Sequence, residues 1–265
     1  MLLTRYGRRE WGGAALLAAG CSLALLLLPW WSLIVFLWVA WICVALFFRD
    51  PVRRVPEGTR PEVFVSPADG VIKAIEKLDK HEATGGQPAL CIRIFLSVLD
   101  VHLNRAPCDA VVRETIHRPG QYLDARTEAS AKVNESNLIV MERANELFGV
   151  RQVSGAIARR IVCAVEADQE VQRGERIGMI KFGSTTELIL PRPEHVKPMV
   201  KVGDRVYAGE SRVAVLSLGY RVDQDDEHDD TLQAVQPRVS AVRPLDGDED
   251  DSPINLSDAP EERKF

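Results

Sequence analysis

From Gly12 to Phe48 the chain carries no charged residue, and this stretch includes Trp30, Trp31, Trp38 and Trp41. Such a segment must be buried in protein or laid against lipid, because so much contiguous apolar surface is poorly tolerated in water. It is long enough for one tilted membrane span, or for two short ones broken at Pro29. Arg5, Arg8 and Arg9 precede it, and Arg49, Arg53 and Arg54 follow it. Basic flanks at both ends favour a hairpin with both ends cytoplasmic over a single crossing. The stretch is too long for a secretory signal, and no small-residue cleavage site precedes Arg49. The expectation is a basic N-terminus over 1–11, a membrane anchor over 12–48 formed as a hairpin or a single span, and a body on the cytoplasmic side of the cell membrane.

Charge divides the remainder. The formal net charge is -5, but Gly219 to Phe265 holds 14 acidic and 5 basic residues, a net -9 that leaves +4 on the first 218 residues. A mildly basic body suits an anionic lipid surface, and nothing marks it as a nucleic-acid binder. The acidic tail, 219–265, is interrupted by Pro237, Pro244, Pro253 and Pro260 and has too little apolar content to fold alone, so it is expected to be disordered. Cys21, Cys43, Cys91, Cys108 and Cys163 form no Cys-x-x-Cys pair. Neither a metal site nor a disulfide framework is indicated.

Between a Pro-rich linker over 49–61 and the tail, the segment 62–218 reads as one mainly β domain. Val63-Phe64-Val65, Val71 to Ile75, Ala89 to Leu96, Ala110 to Arg113 and Asn137 to Met141 are short, β-branched and bounded by Gly, Pro or Asp. A weak internal repeat aligns Val165 to Glu175 with Val200 to Glu210, each copy reading Val, turn, Val, Gly-Glu. That pattern resembles the hammerheads of biotinyl and lipoyl carrier domains and points to a barrel-sandwich core. It also supplies a rival reading, a membrane-anchored, non-catalytic β-sandwich that binds or carries. A carrier needs a modifiable Lys flanked by Met at a hairpin tip, and no such tripeptide is present.

The chemistry is concentrated at Phe182-Gly183-Ser184-Thr185. A Gly-Ser bond can be rearranged by its own hydroxyl, because Gly leaves its carbonyl open to attack. Attack of Ser184 Oγ on the Gly183 carbonyl converts the amide to an ester. Elimination and loss of ammonia then leave a pyruvoyl group at the head of a new chain.

Three further blocks stand upstream: Phe47-Phe48-Arg49-Asp50-Pro51, Ser66-Pro67-Ala68-Asp69-Gly70-Val71, and Ile94 through Asp100-Val101-His102-Leu103-Asn104-Arg105-Ala106-Pro107. In this order and spacing, together with Pro119-Gly120-Gln121-Tyr122-Leu123 and Gly155 to Val162, the chain closely resembles phosphatidylserine decarboxylase proenzymes of the shorter prokaryotic branch. The resemblance runs from about Phe47 to Leu216.

It implies self-cleavage between Gly183 and Ser184 into a large chain (1–183) and a small chain (184–265). These would remain together as a heterodimer, open to further oligomerisation. The implied cofactor is a pyruvoyl group made from Ser184, with no external cofactor. The implied reaction converts phosphatidylserine in the membrane to phosphatidylethanolamine and CO2 through a Schiff base.

The same resemblance makes His102 the acid–base and Asp69 the acid that orients it. An imidazole titrates near neutrality, which suits both taking and returning a proton. Longer relatives carry a second histidine, tied to self-cleavage, three residues after the first. Here Arg105 stands in that place, so the base for cleavage is left open between His102 and an arrangement of Arg105 with Asp69. Arg105, Arg159 and Arg160 are candidate ligands for a lipid phosphate. Leu96, Val98, Leu99 and Tyr122 are candidates for an apolar approach to the site.

Overall fold

The structure, a computed structural model, describes residues 2–25, 31–123, 133–155, 160–181 and 184–217. Met1–Tyr220 is one compact unit. The second unit, Arg221–Phe265, and with it the expectation of a disordered tail, lies outside the described residues.

In chain order the elements are β1 (Leu2–Leu3), α1 (Arg8–Leu25), α2 (Trp31–Phe47), β2 (Arg49–Asp50), β3 (Val63–Val65), β4 (Gly70–His81), β5 (Gln87–Leu96) and β6 (Leu103–Arg105). They continue with β7 (Ala110–Arg118), β8 (Ser136–Arg143), β9 (Glu146–Val153), β10 (Arg160–Cys163), β11 (Glu170–Val171) and β12 (Arg176–Lys181). Last come β13 (Ser184–Pro191), β14 (Val196–Pro198), β15 (Arg205–Val206) and β16 (Arg212–Leu216).

The apolar N-terminal run does not form the span expected of it. It is shared between α1 and α2, of 18 and 17 residues. At 1.5 Å per residue these reach about 27 and 25 Å, short of the roughly 30 Å of a hydrocarbon core, and α1 spends its first turn on Arg8, Arg9 and Glu10. Among the described residues no helix is long and apolar enough to cross a membrane.

The two helices pack on each other. Trp41 Nε1 donates to the Trp11 carbonyl at 3.1 Å, joining the start of α1 to the end of α2. The base of this pair is locked to the body, since Thr4 N donates to Phe48 O at 2.9 Å and β1 pairs with β2. Gly7 permits that closure, because a Cβ there would fall 2.1 Å from the Phe48 ring.

The body is mainly β, as its alternating runs predict. An eight-stranded antiparallel sheet has the order β11-β7-β8-β9-β13-β5-β4-β15, with small three-stranded sheets β10-β12-β6 and β14-β16-β3 beside it. The sheet is curled. Its outermost strands, β11 and β15, lie one in each copy of the sequence repeat, and the glycines that follow them meet: a Cβ on Gly209 would lie 3.4 Å from the Gly174 Cα. Both glycines have positive φ, 81° at Gly174 and 76° at Gly209, where a side chain is strained.

The hydrogen bonds repeat as well. Asp109 Oδ1 accepts from Arg173 N, and Asp69 Oδ1 from Ala208 N, both at 2.8 Å. Between the curled faces lies a core that includes Phe64, Ile72, Ile94, Phe148, Ile177 and Leu188, with Phe64 and Phe148 in edge contact at 5.3 Å.

Strand β13 is central to all of this. Every one of its eight residues is buried, and it is paired along its length with β5 and over five positions with β9. Its first residue is Ser184.

Candidate active site

Ser184 is the first described residue of β13, which is buried along its length in the middle of the sheet between β9 and β5. It pairs with Leu96 at the end of β5 and is fully buried. Its Oγ is one of few buried side-chain polar atoms with no hydrogen-bond partner among the described residues. An unmatched buried hydroxyl costs about 1–3 kcal/mol, and a catalytic role is one of the reasons a native protein keeps such a group. Phe182 and Gly183 lie outside the described residues.

Two residues further along, Thr186 Oγ1 accepts from Asn104 Nδ2 at 3.0 Å. Asn104 Oδ1 accepts in turn from Gln152 Nε2 at 2.9 Å, and Gln152 Oε1 from Asn137 Nδ2 at 3.0 Å. This buried ladder ties β6 across the face of the large sheet. It needs close backbone approach at Gly178, where a Cβ would lie 2.7 Å from Gln152 Nε2. Asn104 thus sits over the row of Thr186, and His102 precedes Asn104 by two residues as Ser184 precedes Thr186.

His102 is fully buried, with its ring 4.4 Å from that of Phe47 at the end of α2. Its Nδ1 lies 2.9 Å from the Asp100 carbonyl, which requires a proton on Nδ1 and places the basic lone pair on Nε2. Burial pushes its pKa down to about 4, against the opposing pull of Asp100, so the ring is neutral at pH 7.

Asp100 is itself held firmly. Its carboxylate accepts from Ser97 N and Ser97 Oγ at 2.8 and 2.7 Å and pairs with Arg205.

Asp69 accepts from Arg53 at 2.6 Å as well as from Ala208 N. Burial raises its pKa, while Ala208 N and Arg53 oppose the rise. Asp69 and His102 share electrostatic neighbours in Asp100 and Arg49. The segment 49–61, read as a linker, therefore supplies residues to the site's surroundings.

Arg105 is buried and fully engaged. It donates to Gly174 O at 2.8 Å, to Pro51 O at 3.2 Å and to Asp50 at 3.1 Å, and Asp50 is also paired with Arg176 at 2.7 Å. A cation so placed is not a proton acceptor. Truncating one side of a buried pair strands the other charge. Arg105→Met is therefore expected to cost about 3 kcal/mol, which lowers the melting temperature of a domain this size by roughly 10 °C. Thermal denaturation monitored by circular dichroism checks this, with Arg176→Met, on the more exposed partner, expected to cost far less.

Arg160 is exposed on β10 and, with Arg5, Arg8, Arg9 and Lys181, lines a cavity of about 330 Å³ whose one acidic residue, Glu10, pairs with Lys181. Arg159 lies outside the described residues. Of the apolar candidates, Leu96 is core, whereas Val98 and Leu99 are exposed, Leu99 to 82%. Both lie on the loop joining β5 to His102, and Leu99 O accepts from Arg49 at 2.5 Å. Tyr122 is also partly exposed.

Reading along the chain did not flag two residues that the fold sets beside Ser184. Ser154 follows β9 and Glu135 precedes β8. The pairings Thr185 with Val153 and Ser136 with Val153 put both on the row of Ser184. Among the described residues, Ser154 Oγ and Glu135 Oε2 are, like Ser184 Oγ, buried without a partner.

Comparison with known proteins bears on this arrangement. Residues 42–214 match the family described as phosphatidylserine decarboxylase. The chain is 39% identical over 199 residues to a phosphatidylserine decarboxylase proenzyme of Beijerinckia indica, covering 74% of this chain and 84% of the relative. It is 40% identical over 201 residues to a protein of the same name from Ehrlichia chaffeensis, covering 75% and 82%. A third, from Desulfotalea psychrophila, is 43% identical over 166 residues, covering 62% and 75%. The matched segment contains His102, which immediately precedes β6, Ser184 on β13 and the end of α2 that packs on the histidine, and on this basis the chain belongs to the phosphatidylserine decarboxylase family.

Proposed function

We propose that this chain is a self-processing decarboxylase that removes the carboxyl group of phosphatidylserine to give phosphatidylethanolamine and CO2. The observation that carries the reading is Ser184 Oγ, buried at the head of β13 without a partner among the described residues. That environment fits a pyruvoyl group derived from this residue, since a small uncharged ketone there needs no ionic partner. When bound in this way, the group supplies an electron sink for the pair left behind as CO2 departs.

The chain's own residues do the rest. His102, neutral at pH 7, accepts at Nε2 the proton that the substrate's ammonium must lose, and returns it to the carbon that has lost CO2. Asp100 fixes the imidazole through its carbonyl, and Phe47 covers one face of the ring. Asp69, held by Arg53 and Ala208 N, shares Asp100 and Arg49 with His102 as electrostatic neighbours.

Cleavage between Gly183 and Ser184 would yield chains 1–183 and 184–265. The paired edges of β13 support their remaining together, because the strand would keep its bonds to both β5 and β9. The matched repeat supports a barrel-sandwich core of the hammerhead kind.

A lipid substrate fits the outside of the molecule. Leu16, Leu17 and Leu23 on α1 and Trp31, Val35 and Phe36 on α2 are exposed, and so are Val98 and Leu99 next to the site. This surface supports a helical pair that lies in one leaflet of the cell membrane from the cytoplasmic side. The basic cavity that includes Arg160 would sit at the level of lipid phosphates.

The test is the intact mass of the purified protein under denaturing conditions, with conversion of phosphatidylserine in mixed micelles followed in the same preparation. Two chains meeting at Gly183 and Ser184, the smaller blocked at its N-terminus, together with release of CO2, are expected. A single uncut chain with full activity would overturn the reading.

A further inference from the structure

We propose that Ser154 and Glu135 form a proton relay to Ser184 for self-cleavage, an inference that rests on the self-processing reading above. Three buried side-chain atoms lack partners among the described residues on three neighbouring strands: Glu135 Oε2, Ser154 Oγ and Ser184 Oγ. The register places them side by side. Ser154 N donates to Glu135 O at 2.9 Å, and Thr185 faces Val153, which sets Ser184 opposite Ser154.

Residues directly opposite in an antiparallel pair project to the same face, with Cβ atoms about 4.5–5.5 Å apart. At that spacing a χ1 rotation brings two hydroxyls into hydrogen-bonding reach without moving the backbone. The backbone at Ser154 is pinned on both sides, its carbonyl accepting from Asn134 Nδ2 at 2.9 Å, so the hydroxyl is the part left to turn.

Of the other candidate bases, Arg105 is a paired cation and Asp69 is held by Arg53, which leaves His102 Nε2 as the competitor that the variants below must separate from the relay. Glu135 Oε1 lies 3.6 Å from Nε2 of the half-exposed His117 on β7, and its other oxygen, Oε2, is buried without a partner among the described residues.

The step balances within the chain. Ser184 gives its hydroxyl proton to Ser154 Oγ as Ser154 passes its own to Glu135 Oε2. Ser184 Oγ bonds to the Gly183 carbonyl carbon. The C–N bond then breaks while the leaving nitrogen recovers the proton along the same path. An amide has become an ester, and no co-reactant is used.

The full-length chain, made by cell-free synthesis and sampled over time, reads this out as the uncut fraction by intact mass. Ser154→Ala and Glu135→Gln are expected to slow cleavage about 100-fold or more, the scale of a lost general base. Ser154→Thr, which keeps the hydroxyl, should stay within a few-fold of wild type. Sodium formate should restore cleavage of Glu135→Ala at least tenfold, a response that a purely structural carboxylate would not give.

Cleavage of Ser154→Ala at the wild-type rate, or formate having no effect on a Glu135→Ala protein that still melts cooperatively, would overturn the relay. Should Glu135→Ala not fold, the contrast of Ser154→Ala with Ser154→Thr decides alone. An uncut wild-type chain would instead remove the self-processing reading itself, so the two failures are distinct.

Discussion

Ser184→Ala is expected to remain a single chain of 29.5 kDa with no decarboxylation above background. The expectation is all-or-none because the substitution removes both the atom that attacks the Gly183 carbonyl and the precursor of the electron sink. The fold should not suffer. Ser184 Oγ is buried without a partner among the described residues, and deleting an unmatched hydroxyl relieves a desolvation cost instead of breaking a bond. The melting temperature of the variant should therefore equal or exceed that of a processed wild-type protein, by circular dichroism. Two fragments from this variant would place the cut elsewhere, and a marked loss of stability would mean that the hydroxyl is bonded in the native protein.

His102→Ala is expected to lower decarboxylation about 100- to 10,000-fold, the range for removal of a positioned acid–base, in a protein that has been processed. Stability supplies a second reading. The folded pKa of His102 is about 4, below the ordinary 6.5, because burial disfavours the cation. Between those values the unfolded chain binds a proton that the folded chain does not. The contribution is fully present above pH 6.5 and is lost as the pH falls toward 4. From pH 7 to pH 5 this amounts to about 2 kcal/mol. Compared in the uncut Ser184→Ala background, acidification over that interval should cost the His102-containing chain more stability than its His102→Ala counterpart. Equal losses would show that His102 is not held neutral by the fold.

The strands were legible because their signals are local. Val63 to Val65 forms as read, and the runs beginning near Val71, Ala89, Ala110 and Asn137 extend by a few residues once neighbours pair with them. The apolar N-terminal stretch was legible as apolar but not as a span. Its division into α1 and α2 leaves each helix short, and the base of the pair is tied to the body through Thr4, Gly7 and Phe48. The repeat was visible in the chain, but its consequence was not. Its two copies end on opposite edges of one sheet and meet as the sheet curls.

The site divides along the same line. Ser184 and His102 could be named from sequence because each stands in a distinctive local string, and Gly183 marks the bond by chemistry alone. Arg53 and Asp50, in what reads as a linker, and Arg105, in a catalytic-looking block, take their partners from residues 16 and 55 positions away, so only the fold shows them as ion pairs.

Glu135 and Ser154 are ordinary residues in the chain. Strand register, which depends on burying one face of β8, β9 and β13 together, sets them in line with Ser184. By itself the sequence determined which residues are reactive, through side-chain chemistry and near-neighbour pattern. The tertiary structure decided which of them share a face and which are already paired, because cross-strand pairing is a contact between distant segments that no local string encodes.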